Sequence, residues 1–418
     1  MPQNKNPKPK TAAGSSTANQ KQNSPTAKPG FKLTKLGWIP LEWEVVRMNR
    51  IATLVNGRAY KQEELLDEGK YKVLRVGNVF SNRSWYYSDM ELPDDKYVED
   101  GDLMYAWSAS FGPMFWKGEK TIYHYHIWKV LENEDVSRDF LFSLLDFDVS
   151  RLMRAKQGGT MAHITKGAME KRQFLLPSLK EQTKIATCLT TWDRAITTTR
   201  NLLQQLDERK KGLMQGLLTG AVRVPGFIGE WEETRIGSLI LESKIIGEGN
   251  KVDRRIKVRL DLNGVLARDV KGNESIDSTI YYRRSEGQFI YGKQNLHKGA
   301  MGLIPSYLDG FESTSDVPAF DFKRGVDPDW FLFYMARPNF YKWLEVISTG
   351  TGSKRIQPKV LFKVKINLPT LPEQKAIAKI LTTADQEIAL YKRKLAKLEA
   401  QKKGLMQQLL TGQKRLQA

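Results

Sequence analysis

Residues 176–220 read LPSLKEQTKIATCLTTWDRAITTTRNLLQQLDERKKGLMQGLLTG, and residues 368–412 read LPTLPEQKAIAKILTTADQEIALYKRKLAKLEAQKKGLMQQLLTG. The two align without a gap at an offset of 192, and just over half of the positions are identical. Self-similarity at this period speaks of the whole architecture, not of a local motif. Each segment opens on the residues of a capping box, Ser178 with Glu181 and Thr370 with Glu373. In that box the hydroxyl accepts from the N3 amide and the Glu reaches back to the N-cap amide. Pro372 is tolerated because first-turn amides have no partner inside a helix. Gly220 and Gly412, which end the two LLTG tails, are natural C-terminal stops.

Between these ends the spacing is that of a heptad. In the first copy Ile185, Leu189, Trp192, Ile196, Thr199, Leu203, Leu206, Lys210, Leu213 and Leu217 step by four and three throughout. In the second, Ile377, Leu381, Ala384, Ile388, Tyr391, Leu395, Leu398, Lys402, Leu405 and Leu409 do the same. A seam sustained this long predicts a coiled coil, with Lys210 and Lys402 interrupting it in the same register. A helix of about 40 residues is about 60 Å long.

The repeat continues weakly into the flanks. QGGTMAHI (157–164) aligns with TGTGSKRI (349–356) at 192, GDLMY (101–105) with GQFIY (287–291) at 186, and LEWEVVRM (41–48) with GEWEETRI (229–236) at 188. The chain therefore divides into a tail (1–30), a globular segment (31–175), a helix (176–220), a second globular segment (221–367) and a second helix (368–418). The globular segments read as mixed α/β. YKVLRVGNVF (71–80), TIYHYHIWKV (121–130), GDLMYAW (101–107) and GQFIYGK (287–293) are rich in β-branched and aromatic residues and predict strands. Residues 137–156 and 328–347 predict amphipathic helices capped by Ser137 and Asp327, with Pro338 kinking or dividing the second. The expected fold class is thus α/β (α+β): two pseudo-repeated globular domains separated by two long helices, which, if they pack antiparallel, relate the domains by a pseudo-two-fold axis.

The chain has 418 residues and a formal net charge of +19. The tail supplies five lysines and no acid, and its Pro, Gly, Ser, Thr, Asn and Gln cannot offset the entropy of ordering. Even without it the chain is strongly basic, which points to a polyanionic partner, nucleic acid first. Cys188 is the only cysteine, which rules out an internal disulfide framework or a Cys-rich zinc site. The tail has no apolar stretch of a secretory signal, and no run of about 18 apolar residues occurs, so a cytoplasmic location is expected.

Catalytic motifs are missing. There is no P-loop and no glycine-rich cofactor loop between a strand and a helix. DPDW (327–330) lacks a proline of the amino-methyltransferase motif and reads as a helix cap; PDDK (93–96) reads as a polar loop. His124 and His126 would lie on one face of a strand, but no cysteine is near them in sequence, so no metal site is assigned. A binding protein is favoured over an enzyme, with no cofactor in this chain. Two glycine-rich polar loops are the candidates for nucleic-acid contact: Lys156, Gln157, Gly158, Gly159 and Thr160 with His163, and Thr349, Gly350, Thr351, Gly352, Ser353, Lys354 and Arg355. Glycines let backbone amides approach phosphates, while Lys, Arg and Gln reach phosphates or base edges.

Two globular segments alternating with two helices, opened by LPSLKEQ and LPTLPEQ and closed by KKGLMQGLLTG and KKGLMQQLLTG, resemble the specificity subunit of type I restriction–modification enzymes. The resemblance covers residues 31–416; the tail lies outside the pattern. It implies two target recognition domains, each reading half of a split double-stranded DNA site, on a subunit that is not itself catalytic. It also implies two modification subunits that bind S-adenosylmethionine and methylate adenine at N6, and further restriction subunits in a nuclease. The residues taken alone also allow a coiled-coil scaffold joining two protein-binding modules. A steep salt dependence of DNA affinity separates the two readings.

Overall fold

The computed structural model describes residues 28–80, 84–108, 110–154, 163–270, 279–350 and 354–416. Two compact units emerge, one made of residues up to 193 together with 400 onwards, the other of residues 194–399. Each unit therefore takes its share of both long helices, Leu179–Thr219 and Leu371–Leu410.

In the first unit a four-stranded antiparallel sheet runs in the order Ala52–Asn56, Ile127–Glu132, Leu103–Ser108, Ser110–Phe115. The helix Arg138–Arg154 packs its apolar side on this sheet, with Phe140, Leu141, Leu144 and Leu145 buried against Leu54, Tyr105 and Trp128. A second four-stranded sheet includes the parallel pair Tyr71–Leu74 and Thr121–Tyr123. Gln173–Leu176 pairs with Glu44–Arg47 and leads straight into the first long helix.

The second unit repeats the plan. Its four-stranded antiparallel sheet runs Ile240–Ser243, Ala319–Phe322, Phe289–Tyr291, Met301–Leu303. Lys365–Leu368 pairs with Glu232–Arg235 before the second long helix. Asp327 caps the helix Pro328–Met335 by accepting from the Trp330 amide at 2.9 Å. Pro338 divides the predicted helix, because it cannot donate to the turn before it, and it opens a separate helix, Pro338–Trp343.

Two strand expectations are corrected. Residues 71–80 are not one strand: the strand stops at Leu74, and Val76–Phe80 is a short helix. Asn78 causes the change, its side chain accepting from the Arg75 amide at 3.1 Å, a local bond that competes with the sheet ladder. Residues 121–130 are two strands with a turn at His124–His126, so the two imidazoles do not share a strand face. That turn is held from outside by Arg58, whose amide donates to the Tyr123 carbonyl and whose carbonyl accepts from the Tyr125 amide, both at 3.0 Å. Gly57 allows the approach, since a Cβ there would lie 2.3 Å from the Tyr123 carbonyl oxygen.

The long helices meet in antiparallel fashion within each unit. In the first unit Ile185 and Leu189 share a core with Leu409 and Met406, and Leu405 is packed against it. In the second, Leu217 shares a core with Ile377 and Leu381, with Leu213 alongside, while Leu203 and Leu206 meet Ile388, flanked by Tyr391 and Leu395. Ile196 and Thr199 are also buried, and Trp192 and Leu398 are half-buried. Each fully buried Leu contributes about 1.5–3 kcal/mol relative to exposure. The lysines that interrupt the seam each meet an acid: Lys210 pairs with Asp385 at 2.5 Å in the second unit and Lys402 with Asp193 at 2.6 Å in the first. Both helices stop where glycine takes a left-handed conformation, Gly220 at φ 77° and Gly412 at φ 69°.

Candidate nucleic-acid interface

The glutamates of the predicted capping boxes are not spent on their own helices. Ser178 does accept from the Glu181 amide, at 3.4 Å, but the Glu181 carboxylate accepts from the Trp43 indole at 3.0 Å and from the Arg415 guanidinium at 2.9 and 2.8 Å. In the second unit Glu373, 1% exposed, accepts from the Trp231 indole at 3.1 Å and from Arg223 at 2.7 and 2.8 Å. The capping-box expectation is corrected here: a bidentate guanidinium is a stronger partner for a buried carboxylate than a neutral N-cap amide.

The glutamines that follow repeat the pattern. Gln182 accepts from the Ser137 amide at 2.9 Å and donates to the Asp135 and Pro177 carbonyls at 3.1 and 2.9 Å. Gln374 accepts from the Asp327 amide at 2.8 Å and donates to the Gly325 and Pro369 carbonyls at 3.1 and 2.9 Å. Each therefore ties the start of its long helix to the start of the helix that covers its unit's sheet. The Glu–Gln pair in LPSLKEQ and LPTLPEQ fixes how each globular unit sits on its own helix ends.

The candidate loops spring from equivalent places. In the first unit the Ile164 amide donates to the Trp107 carbonyl at 3.3 Å, and His163 bridges to Ser108. In the second the Ile356 amide donates to the Lys293 carbonyl at 2.8 Å. Residues Lys156, Gln157, Gly158, Gly159 and Thr160, and Thr351, Gly352 and Ser353, lie outside the described residues. At the base of the second loop Thr349 and Arg355 exchange both backbone hydrogen bonds, at 2.9 and 2.8 Å, and Gly350 has φ 105°. Lys354 pairs with Glu345 at 2.7 Å and Arg355 with Asp316 at 3.1 Å, both exposed.

What surrounds each loop differs. Beside the first loop, the Trp107 indole donates to the Tyr125 carbonyl at 2.9 Å and stacks on Trp128, their rings 5.6 Å apart. His126 meets Trp107 edge-on at 5.0 Å, and His124 and His126 lie 4.8 Å apart around the 37%-exposed Tyr125. Burial pulls His124 down to about 4, with His126 and Arg75 adding repulsion, and burial lowers His126 too. Both are therefore neutral near pH 7, each able to donate from one nitrogen and accept at the other. Among the described residues no group of three or more His, Cys, Asp or Glu is placed to hold a metal ion. Beside the second loop the corresponding residue is Lys293, next to Lys359 and the buried Arg284. No described helix is long and apolar enough to cross a membrane.

A repeated frame that carries two unlike polar surfaces is the build of a modular reader, and comparison with known proteins agrees. The family model for the type I restriction modification DNA specificity domain matches residues 40–208 and 319–400. The chain belongs to that family: it is a specificity subunit of a type I restriction–modification system, a non-catalytic component that recognises DNA sequence. It is 26% identical over 413 residues to the type I restriction enzyme MjaVIII specificity subunit of Methanocaldococcus jannaschii, covering 90% of this chain and 94% of that one. It is also 26% identical over 183 residues to the EcoBI specificity subunit of Escherichia coli, covering 43% of this chain and 38% of that one. The fold is similar to the type I S subunit from M. genitalium, with a TM-score of 0.56 at 13% identity, covering 88% of this chain and 96% of that one. It is similar again to a chain from a study of type I complex assembly and conformational transition, with a TM-score of 0.54 at 17% identity, covering 90% and 99%.

Proposed function

We propose that residues 31–175 and 221–367 are two target recognition domains, each reading one half of a bipartite, asymmetric site on double-stranded DNA. The loops 156–163 and 349–355 meet the DNA, together with the side chains at their bases. The long helices, about 60 Å each, act as a ruler that sets the number of unread base pairs between the half-sites. A pseudo-two-fold relation between the domains would present their loops to inverted half-sites on one face of the duplex. The subunit works in the cytoplasm and recruits two modification subunits, which bind S-adenosylmethionine and methylate adenine at N6; the nuclease adds two restriction subunits. This chain holds no cofactor of its own.

One observation carries the reading. The Glu–Gln clamps and the loop-base bond recur in both units, whereas position 107 is Trp and its counterpart 293 is Lys. Recurrent anchors suit a common frame, and unlike residues at one place suit different half-sites. The test is to map N6-methyladenine across the genome of a host expressing this chain with its modification subunit. A split motif with two unlike halves is expected; a continuous or palindromic motif would overturn the two-reader account.

A further inference from the structure

The second unit contains a polar pocket of about 350 Å³ that the loop assignment does not explain. Arg284 lines it and is 1% exposed. Its guanidinium donates to the Ser313 hydroxyl at 2.7 Å and to the Ser243 and Val317 carbonyls at 2.8 and 3.3 Å. No carboxylate among the described residues pairs with it, and those three bonds use three of its five N–H groups. Burial pulls it down to about 10, outweighing the opposing pull of Glu242, Tyr282 and Asp321, a sign that the charge is poorly compensated. Ser243 adds a buried hydroxyl with no hydrogen-bond partner among the described residues. At the rim stand Lys244, which pairs with Glu242 at 3.4 Å, and Lys293 and Lys359, which form no ion pair among the described residues. Four cations thus face one carboxylate. A desolvated guanidinium with spare donors, an orphan hydroxyl and free ammoniums match a compact oxyanion.

The pocket lies at the root of the candidate loop. Lys293 accepts the Ile356 amide through its carbonyl, and Lys359 follows the loop by four residues. Ser315, also on the wall, adjoins the Asp316 that holds Arg355. We propose that this pocket is a phosphate site that seats one DNA backbone phosphate beside loop 349–355 and fixes the second unit's register without choosing bases. Phosphate contacts position a protein on DNA, while base edges specify the sequence. In the first unit Trp107 stands in place of Lys293, so the site belongs to the second unit alone. The proposal rests on the DNA-reading function above.

The test uses the complete complex with its modification subunit and a Lys244→Gln/Lys359→Gln double variant, whose substitutions leave Lys293 and the buried Arg284 untouched. Affinity for the mapped site and for an unrelated duplex is titrated against salt. The double variant is expected to bind both duplexes about tenfold more weakly, and the slope of log affinity against log salt should fall by about 0.9, the loss of one phosphate contact. The methylated motif should stay the same. An unchanged slope, or an altered base preference, would overturn the proposal. A wild-type complex with no DNA affinity would defeat the DNA-reading function itself, and the pocket's assignment with it. Calorimetry with inorganic phosphate and with ATP, without DNA, separates the sources. Weak phosphate binding that the double variant loses supports the site, whereas tight ATP binding that excludes DNA would assign the pocket to a free nucleotide.

Discussion

Glu181 and Glu373 sit at N3 of their helices, where a capping role is the natural reading, yet each is held by residues far away in the chain. Trp43 is 138 residues from Glu181, and Arg415 is 234 residues away. No local pattern reveals such partners. Only the repeat hints at them, because LEWEVV and GEWEET bring Trp43 and Trp231 to matching positions. Gln182 and Gln374 were legible merely as the residues after the box, although each makes three hydrogen bonds. Gln374 is fully buried. Its replacement by Ala leaves the Asp327 amide and two carbonyls without partners. The expected loss is about 3 kcal/mol, the desolvation cost of groups left unpaired. Denaturant unfolding of the Gln374→Ala variant measures this, and Gln182→Ala should behave alike in the first unit. A loss within about 0.5 kcal/mol, the range of ordinary surface changes, would show that the clamp does not anchor the helix.

At the scale of elements, the long helices were the most legible part, because a heptad seam of ten positions with a cap and a glycine stop leaves few alternatives. Strand limits were less so. The turn at His124–His126 interrupts ten residues rich in β-branched and aromatic side chains, and its cause is tertiary: Arg58, brought alongside by Gly57, takes the backbone bonds of the turn. The aromatic group around Trp107 is likewise built from two separate stretches of chain. The ruler can be tested as an element. Inserting seven residues after Asp207, and seven at the facing position after Glu387, keeps the seam in phase and lengthens each helix by about 10.5 Å. At about 3.4 Å per base pair, the unread spacer should grow by about three base pairs with both half-sites kept. Mapping methylated sites in cells carrying the variant reads this directly; an unchanged spacer would remove the ruler.

Over the whole molecule the sequence carries the frame and hides the readers. The 192-residue offset recovers the helices and the loop bases, and an offset of 188 the flanking Trp residues, because these meet the same constraints twice. The four-stranded antiparallel sheets share one strand order in the two units although their sequences match only at the edges. The divergent interiors, with Trp107 in one unit and Lys293 in the other, are where different DNA halves would be read, and divergence leaves no repeat to recognise. The central claim is that each unit reads its own half-site independently. Its most direct test replaces residues 31–175 with the corresponding segment of another specificity subunit and maps the methylated motif with the same modification subunit. One half-site should change, while the other half-site and the spacer length stay as they were. A change in both half-sites together, or in neither, would contradict the account.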